Sequence, residues 1–344
     1  MKEVLFQSCH IYRYRQPLVK PLPLKTVTLT DREGLILEVV DQEGLTHYGE
    51  ASPLPDFSQE SLFEALEQLK EVAELCCLQK WSDQKLLHPS VAFAIESIQF
   101  SADRQKWCQQ KTAHAPLLMG ADASTLKRLK GWQMGWPNEF KLKVGRNTVS
   151  QDVEAVNQLL ECIPGQIKLR LDANQRWSLD EAIQFSLQIT ANRVSYIEEP
   201  TGDCRDFPQL FSETGIGYAL DETLQFPVSD FRLSEKGALK AGEGLRAIVL
   251  KPTLVGGISR CLSLAGWARK NKVRTVFSSS FESALGVSLI EQLSLECDPF
   301  ESPGLDTLCA FQNPEFCGLP DYGKPLSLDL RNAMETVWSC CSAH

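Results

Sequence analysis

Hydrophobic positions recur along this chain with two different periods, and the change of period divides it. From Lys25 to about Gly49 the pattern is short and strand-like: Thr26-Val27-Thr28-Leu29-Thr30, then Leu35-Ile36-Leu37-Glu38-Val39-Val40, separated by a turn signal from Asp31 to Gly34. This predicts a hairpin or meander. After Ser52-Pro53-Leu54-Pro55, the stretches Glu60 to Leu78 and Ser90 to Gln109 carry apolar residues at helical spacing. Strands followed by helices predict a separate α+β unit.

From about Leu117 onward, short apolar runs alternate with helical stretches. The runs are Phe140 to Val144, Ile167 to Leu171, Val194 to Ile197, Tyr218 to Leu220, Ala247 to Leu250 and Val276 to Phe277. Such alternation predicts a parallel sheet, either open and doubly wound or closed into a barrel. No glycine-rich GxGxxG or GxxxxGK[ST] segment follows any run, so nothing favours a nucleotide-binding sheet.

Composition excludes several classes. With 344 residues, 43% hydrophobic and 23% charged, the chain has the balance of a folded protein large enough for a barrel, two domains, or both. A net charge of −9 and a pI near 5.2 lack the basic footprint that phosphate backbones require, so nucleic acid is not an expected partner. The start has no signal-peptide core and no stretch approaches a membrane span, which makes the cytoplasm the expected location and a membrane contact unexpected. The twelve cysteines form no CxxC pair, and they read as small buried hydrophobes or inert thiols rather than a disulfide scaffold. The histidines (His10, His47, His88, His114, His344) are dispersed and suggest no imidazole metal site. A monomer is expected, since no long exposed apolar helix or strand edge is evident.

The candidate chemistry lies at the strand ends. Lys143, Asp172, Glu198, Asp221 and Lys251 stand at or near the C-terminal ends of five runs, at intervals of 29, 26, 23 and 30 residues, each about one βα unit. In a barrel these ends converge on one mouth. Three converging carboxylates repel one another unless a cation neutralises them, and hard oxygen donors with room for water and substrate suit Mg²⁺ better than zinc. Such a cation can hold a substrate carboxylate and stabilise the enediolate formed when the neighbouring proton leaves. Lys141 and Lys143 share one face, and a second ammonium with partial desolvation favours a neutral Lys143 amine, which a base requires. Taken singly, each residue has a plainer reading: a loop residue, a solvated Glu198-Glu199 pair before Pro200, or an exposed alternating strand for Lys141 and Lys143. The joint pattern in chain order favours the functional reading.

On these residues the chain resembles the enolase superfamily. Lys141-Leu142-Lys143-Val144-Gly145 is similar to its Lys-x-Lys segment. Leu171-Asp172-Ala173-Asn174, Ile197-Glu198-Glu199-Pro200 and Ala219-Leu220-Asp221-Glu222 are similar to its three metal strands, and Leu250-Lys251-Pro252-Thr253 to the segment bearing the opposite lysine. The lack of a histidine at that last position argues against the mandelate racemase branch. Ser278-Ser279-Ser280-Phe281-Glu282-Ser283 and Pro303-Gly304-Leu305-Asp306-Thr307 resemble the last barrel segments of the proteobacterial o-succinylbenzoate synthases. Similarity extends to Gly49 through Ser58, Pro89 through Phe93 and Arg170, so it covers most of the chain.

The resemblance implies an α/β fold, a (β/α)-barrel of the enolase superfamily type with an α+β capping domain. Its divisions would be a capping domain at 1–114, a barrel at 115–312 and a C-terminal tail at 313–344 that packs with the capping domain. It implies a Mg²⁺-dependent lyase acting on a small-molecule carboxylate in menaquinone biosynthesis, with Mn²⁺ able to substitute. The reaction would be dehydration of 2-succinyl-6-hydroxy-2,4-cyclohexadiene-1-carboxylate to o-succinylbenzoate. Lys143 would be the base and Lys251 the opposite cation, with Asp172, Glu198 and Asp221 as metal ligands. Lys141, Arg170, Asn174, Ser279, Ser280 and Gly304 would contact substrate, and for Arg170 a structural ion pair is an equal expectation. Ser279, Ser280 and Gly304 would hold the succinyl tail through hydroxyls and backbone N–H groups. The segment Tyr12 to Pro23 would be a mobile loop closing the mouth. On the same scaffold the alternatives are N-acylamino acid racemase, dipeptide epimerase and muconate cycloisomerase; outside it, a catalytically silent binding protein retaining the fold.

Overall fold

A strand forms where the sequence reading expects a closing loop. In β1 (Phe6–Pro23), Tyr12, Tyr14, Gln16 and Leu18 are buried while Arg13, Arg15, Pro17 and Val19 are exposed, which is the two-residue period of a pleated strand. Pro17, the residue that most suggests a loop, lies beyond Arg13, where pairing to the C-terminal strand has ended, and its carbonyl accepts from Gln312 N at 3.0 Å. The return strand β2 (Thr28–Asp41) pairs antiparallel, with Tyr14 opposite Gly34 and Pro17 opposite Asp31. The expected turn at Asp31 to Gly34 therefore lies inside a strand, and the chain reverses instead at Leu24 to Val27, where Leu24 N donates to Val27 O at 2.9 Å. Gly34 serves close approach: a Cβ there would stand 2.5 Å from the Tyr14 hydroxyl.

The structure is a computed structural model that describes residues 6–77, 87–104, 106, 108, 112–133, 135–225 and 242–341. The expected helix ends at Leu78 and Gln109, and His344, lie outside the described residues. β3 (Thr46–Ala51) flanks β2, and helices α1 (Leu62–Cys77) and α2 (Pro89–Arg104) cover one face of the sheet through Leu69, Val72, Val91, Ile95 and Ile98.

Seven parallel strands follow in sequential order: β4 (Leu117–Leu118), β5 (Glu139–Lys143), β6 (Lys168–Asp172), β7 (Val194–Glu198), β8 (Tyr218–Leu220), β9 (Leu245–Leu250) and β10 (Arg274–Phe277). Residues 303–304 close the ring: Gly304 bridges Ser278 and donates to Phe277 O at 2.8 Å, and Pro303 O accepts from Ala115 N at 3.0 Å beside β4. Outside stand α3 (Ala123–Lys130), α4 (Val149–Cys162), α5 (Leu179–Ser186), α6 (Phe207–Thr214), α7 (Pro252–Val255), α8 (Gly257–Lys270) and α9 (Ala284–Cys297). Capping boxes Thr148/Gln151 and Ser178/Glu181 start α4 and α5. After α10 (Leu328–Asn332), the last strand β11 (Glu335–Cys341) pairs with β1, giving a second sheet of order β11-β1-β2-β3. Among the described residues no helix is long and apolar enough to cross a membrane.

Barrel residues pointing outward, such as Phe140, Leu142, Leu169 and Leu171, join the apolar layer under the helices. Those pointing inward include a small apolar cluster of Ala219, Ala247, Val249 and Val276 with Tyr196, and a set of charged residues. Arg170, a candidate substrate contact, is only 2% exposed and is held within the barrel: it donates to Glu139 at 2.6 Å, Glu301 at 2.7 Å and Ser302 O at 2.8 Å. It does not reach the cavity, because both acids already satisfy its guanidinium. Arg274 binds the same two carboxylates. Burial alone would raise the Glu139 carboxyl, but hydrogen bonds from Arg274 and the charges of Arg170 and Arg274 bring it down to about 2. A depressed folded pKa contributes stability above the ordinary carboxylate value and loses it as pH falls toward 2. Glu139→Gln is thus expected to cost on the order of 3 kcal/mol at neutral pH and progressively less toward pH 3. Urea unfolding at both pH values checks this; an equal cost at both would exclude the ion network as its source.

Carboxylates of the smaller sheet domain fasten it to the barrel. Glu50 on β3 accepts from Ser283 N and Gly286 N, both at 2.9 Å, at the start of α9, and from Tyr14 Oη at 2.7 Å. Glu96 on α2 accepts from Ser259 N at 2.6 Å in the first turn of α8. Both satisfy amides that a helix start leaves unpaired. The sheet domain is thereby held over the barrel mouth.

Candidate active site at the barrel mouth

A cavity of about 450 Å³ lies between the two domains. Its upper wall includes Leu22, Pro23, Leu24 and Lys25 at the β1–β2 tip, with Leu54 and Phe57 after β3; its floor is made by the C-terminal ends of the barrel strands. So the tip alone of the expected closing loop reaches the cavity.

Lys141 and Lys143 both line the floor because β5 turns alternate residues inward, while Leu142 between them is fully buried against the helices. Parallel register sets Lys143 beside Asp172 and Asp172 beside Glu198. β5 and β9 stand four places apart in a ring of eight, so Lys251, which follows β9, faces Lys143 across the cavity.

The five candidates and Lys141 form one buried charge cluster. Lys141 Nζ lies 2.7 Å from Asp172 and 2.8 Å from both Glu198 oxygens, Lys143 Nζ lies 2.6 Å from Asp172, and Lys251 pairs with Asp221. Asp221 is close enough to Glu198 for each to shift the other's titration. All three carboxylates are essentially inaccessible. Among the described residues no group of three His, Cys, Asp or Glu side chains stands arranged around a metal position. Lys141 sits between Asp172 and Glu198.

Electrostatics show how tightly balanced this cluster is. Burial, then Asp172, pushes Glu198 well above the usual carboxylate range against the pull of Lys141, and Asp221 pushes the same way. Burial would also raise Asp172, but Lys141, Lys143 and Lys251 hold it well below. Burial lowers Lys143, and the charges of Lys141 and Lys251 add to it, together outweighing Asp172. Lys251 is held above its ordinary value despite burial, through Asp221 and Glu222. The Oε2 atom of Glu222 is buried without a partner. An acid driven toward protonation by its neighbours and an orphaned carboxylate oxygen are what a hard divalent cation would relieve, so the donor set fits Mg²⁺.

Asn174 sits at φ +46, a conformation that asparagine tolerates, and joins three groups. It accepts from Lys143 Nζ at 2.8 Å, donates to Glu222 at 2.9 Å, and donates its own N–H to Asp172 at 3.2 Å. Glu199 turns away from the cavity: it accepts from the backbone N–H groups of Asp221 and Thr223, both at 2.8 Å, and so fixes the loop after β8. The Glu198-Glu199 pair is buried rather than solvated.

Ser279, Ser280 and Gly304 line the far wall, but not as free donors. Ser279 N bonds Gly304 O at 3.2 Å, Gly304 N bonds Phe277 O, and Ser280 donates through N and Oγ to Glu282 at 2.6 Å. The backbone N–H groups expected to be open there are taken up by strand closure and by Glu282. The cavity also holds residues the sequence reading did not single out, chiefly Lys25, Arg146 and Arg176.

Comparison with known proteins agrees with this architecture. A family model described as enolase C-terminal domain-like matches residues 124–309, and one described as the MenC N-terminal domain matches residues 6–102. An o-succinylbenzoate synthase of Yersinia pseudotuberculosis is 34% identical over 343 residues, covering 96% of this chain and 99% of the relative. One from Yersinia pestis gives the same figures. Among solved structures, an N-succinyl Arg/Lys racemase from Bacillus cereus superposes with a TM-score of 0.78 at 19% identity, covering 98% of this chain and 99% of that one. The o-succinylbenzoate synthase of Thermosynechococcus elongatus, described with Mg in its active site, superposes with a TM-score of 0.70 at 24% identity, covering 86% and 92%. These two structural likenesses establish the fold. With identity sustained over nearly its whole length, the chain belongs to the o-succinylbenzoate synthase family of the enolase superfamily.

Proposed function

We propose that this protein is a Mg²⁺-dependent dehydratase that converts 2-succinyl-6-hydroxy-2,4-cyclohexadiene-1-carboxylate to o-succinylbenzoate, with residues 1–114 and 313–344 capping a barrel of 115–312. The observation that carries the reading is the pairing of Lys143, whose pKa burial and the neighbouring lysines lower, with a buried carboxylate cluster beneath a cavity of about 450 Å³.

Asp172, Glu198 and Asp221 would hold the ion, which supplies positive charge to the substrate carboxylate as its neighbouring carbon loses a proton. Lys143 Nζ takes that proton, and the C–H electron pair moves toward the carboxylate. The same nitrogen, now ammonium, returns the proton to the departing hydroxyl, so water leaves and the ring becomes aromatic. Lys251 lies opposite and stabilises the developing negative charge as a fixed cation. Asn174 aims Lys143 through its 2.8 Å contact. The tip at Leu22 to Lys25, with Phe57, excludes water from above.

Incubation of the protein with the cyclohexadiene substrate and Mg²⁺ is expected to yield o-succinylbenzoate, followed by ultraviolet absorbance. Racemisation of N-acylamino acids with no dehydration would assign the site to another reaction of the superfamily.

A further inference from the structure

Beyond Lys25, which lies over the Phe57 ring at 4.7 Å, the proposed chemistry leaves two cations of the cavity unused. Arg146 follows β5 and Arg176 follows β6; both line the cavity at its exposed rim, and neither side chain has a hydrogen-bonding or ion-pair partner among the described residues. Like charges on neighbouring loops repel, so the backbone must bring them together. Gly145 does so: at φ +75 it has no side chain, and a Cβ there would stand 3.1 Å from Arg176 Cβ and 3.2 Å from Ala173 O. The indole Nε1 of Trp177, buried and unpartnered, lies 3.6 Å from the same point. Partial burial, and then the Arg176 charge, hold the Arg146 guanidinium below its ordinary pKa.

The backbone donors of the opposite wall are already engaged, since Ser279 N, Ser280 N and Gly304 N all bond within the protein. On a chain of net charge −9, a rim of unpaired guanidinium groups is a local attraction for anions. The planar donor fork of arginine matches the two oxygens of a carboxylate. The substrate of the proposed reaction carries two carboxylates, and only one lies beside the carbon that loses its proton.

We propose that Arg146 and Arg176 form a receiving site for the substrate's free carboxylate, at the end of its succinyl tail, and so select dicarboxylates over monocarboxylates. This rests on the dehydratase reading for the identity of the tail.

The test is calorimetric titration, with Mg²⁺ present, of wild type, Arg146→Met, Arg176→Met and the double variant. The ligands are o-succinylbenzoate and its tail monomethyl ester, at about 20 mM and about 300 mM NaCl. Arg205→Met serves as control, because Arg205 is exposed and paired with Asp203. Wild type is expected to favour the diacid over the ester at least about tenfold at low salt. Each single variant should lose about five- to twentyfold in diacid affinity and little in ester affinity, with the loss shrinking at high salt. In turnover the change should appear in KM rather than kcat, with melting temperatures unchanged. Retention of the diacid preference by the double variant would overturn the proposal. N-succinylglycine separates the two readings. A chain that forms no o-succinylbenzoate yet binds this second diacid in an arginine-dependent manner loses the dehydratase reading and keeps the rim site. Arginine-independent binding of both diacids removes the rim site alone.

Discussion

Lys143→Ala is expected to lower turnover by about 10⁴-fold while leaving the fold intact. General acid–base groups contribute about 10²- to 10⁴-fold each, and Lys143 is asked to act twice, as base toward carbon and acid toward the hydroxyl. The high end of that range follows. Stability should hardly change, because Asp172 keeps its 2.7 Å contact with Lys141 when Lys143 is removed. Nor should affinity for Mg²⁺ fall, since Lys143 is not one of its proposed ligands. Single-turnover absorbance and a melting curve read the two quantities separately. Turnover within tenfold of wild type would require another base, and Lys251 would be the first to examine.

Chelation is expected to be nearly as damaging, with loss of at least about 10³-fold in EDTA and recovery on adding Mg²⁺, because a bound divalent ion supplies several kcal/mol of charge stabilisation. Asp172, Glu198 and Asp221 converge on the place of the substrate carboxylate, and Lys141 and Lys251 already pair with them. The ion would supply the further positive charge that a fourth carboxylate requires. Activity undiminished by chelator would mean that the lysines alone suffice.

The barrel was legible because its signal is local. Each strand from β5 to β9 is a short run with a charged residue at its end or just after it, and that residue's position fixes which way it points. Lys143, Asp172 and Glu198 could thus be placed together from chain spacing alone. What the sequence reading missed depends on long-range pairing. In β1, arginines and prolines obscured an alternation whose buried half, Tyr12, Tyr14 and Gln16, is explained only by the strands that flank it. Gly34 imitates a turn residue, though its purpose is to pass under the Tyr14 ring. Arg170 shares a strand face with Asp172, so its direction was readable; its acidic partners Glu139 and Glu301 lie 31 and 131 residues away and were not. Arg146 and Arg176 belong to ordinary loops. Only the folded backbone at Gly145 makes them neighbours.

Calorimetric titration of Mg²⁺ into wild type, Asp172→Asn, Glu198→Gln and Asp221→Asn tests the shared carboxylate site most directly, with folding of each variant verified by its melting temperature. The expected result is one ion per wild-type chain and affinity reduced at least about a hundredfold in every variant. Wild-type affinity for Mg²⁺ in any one of the three would contradict a site built from all of them.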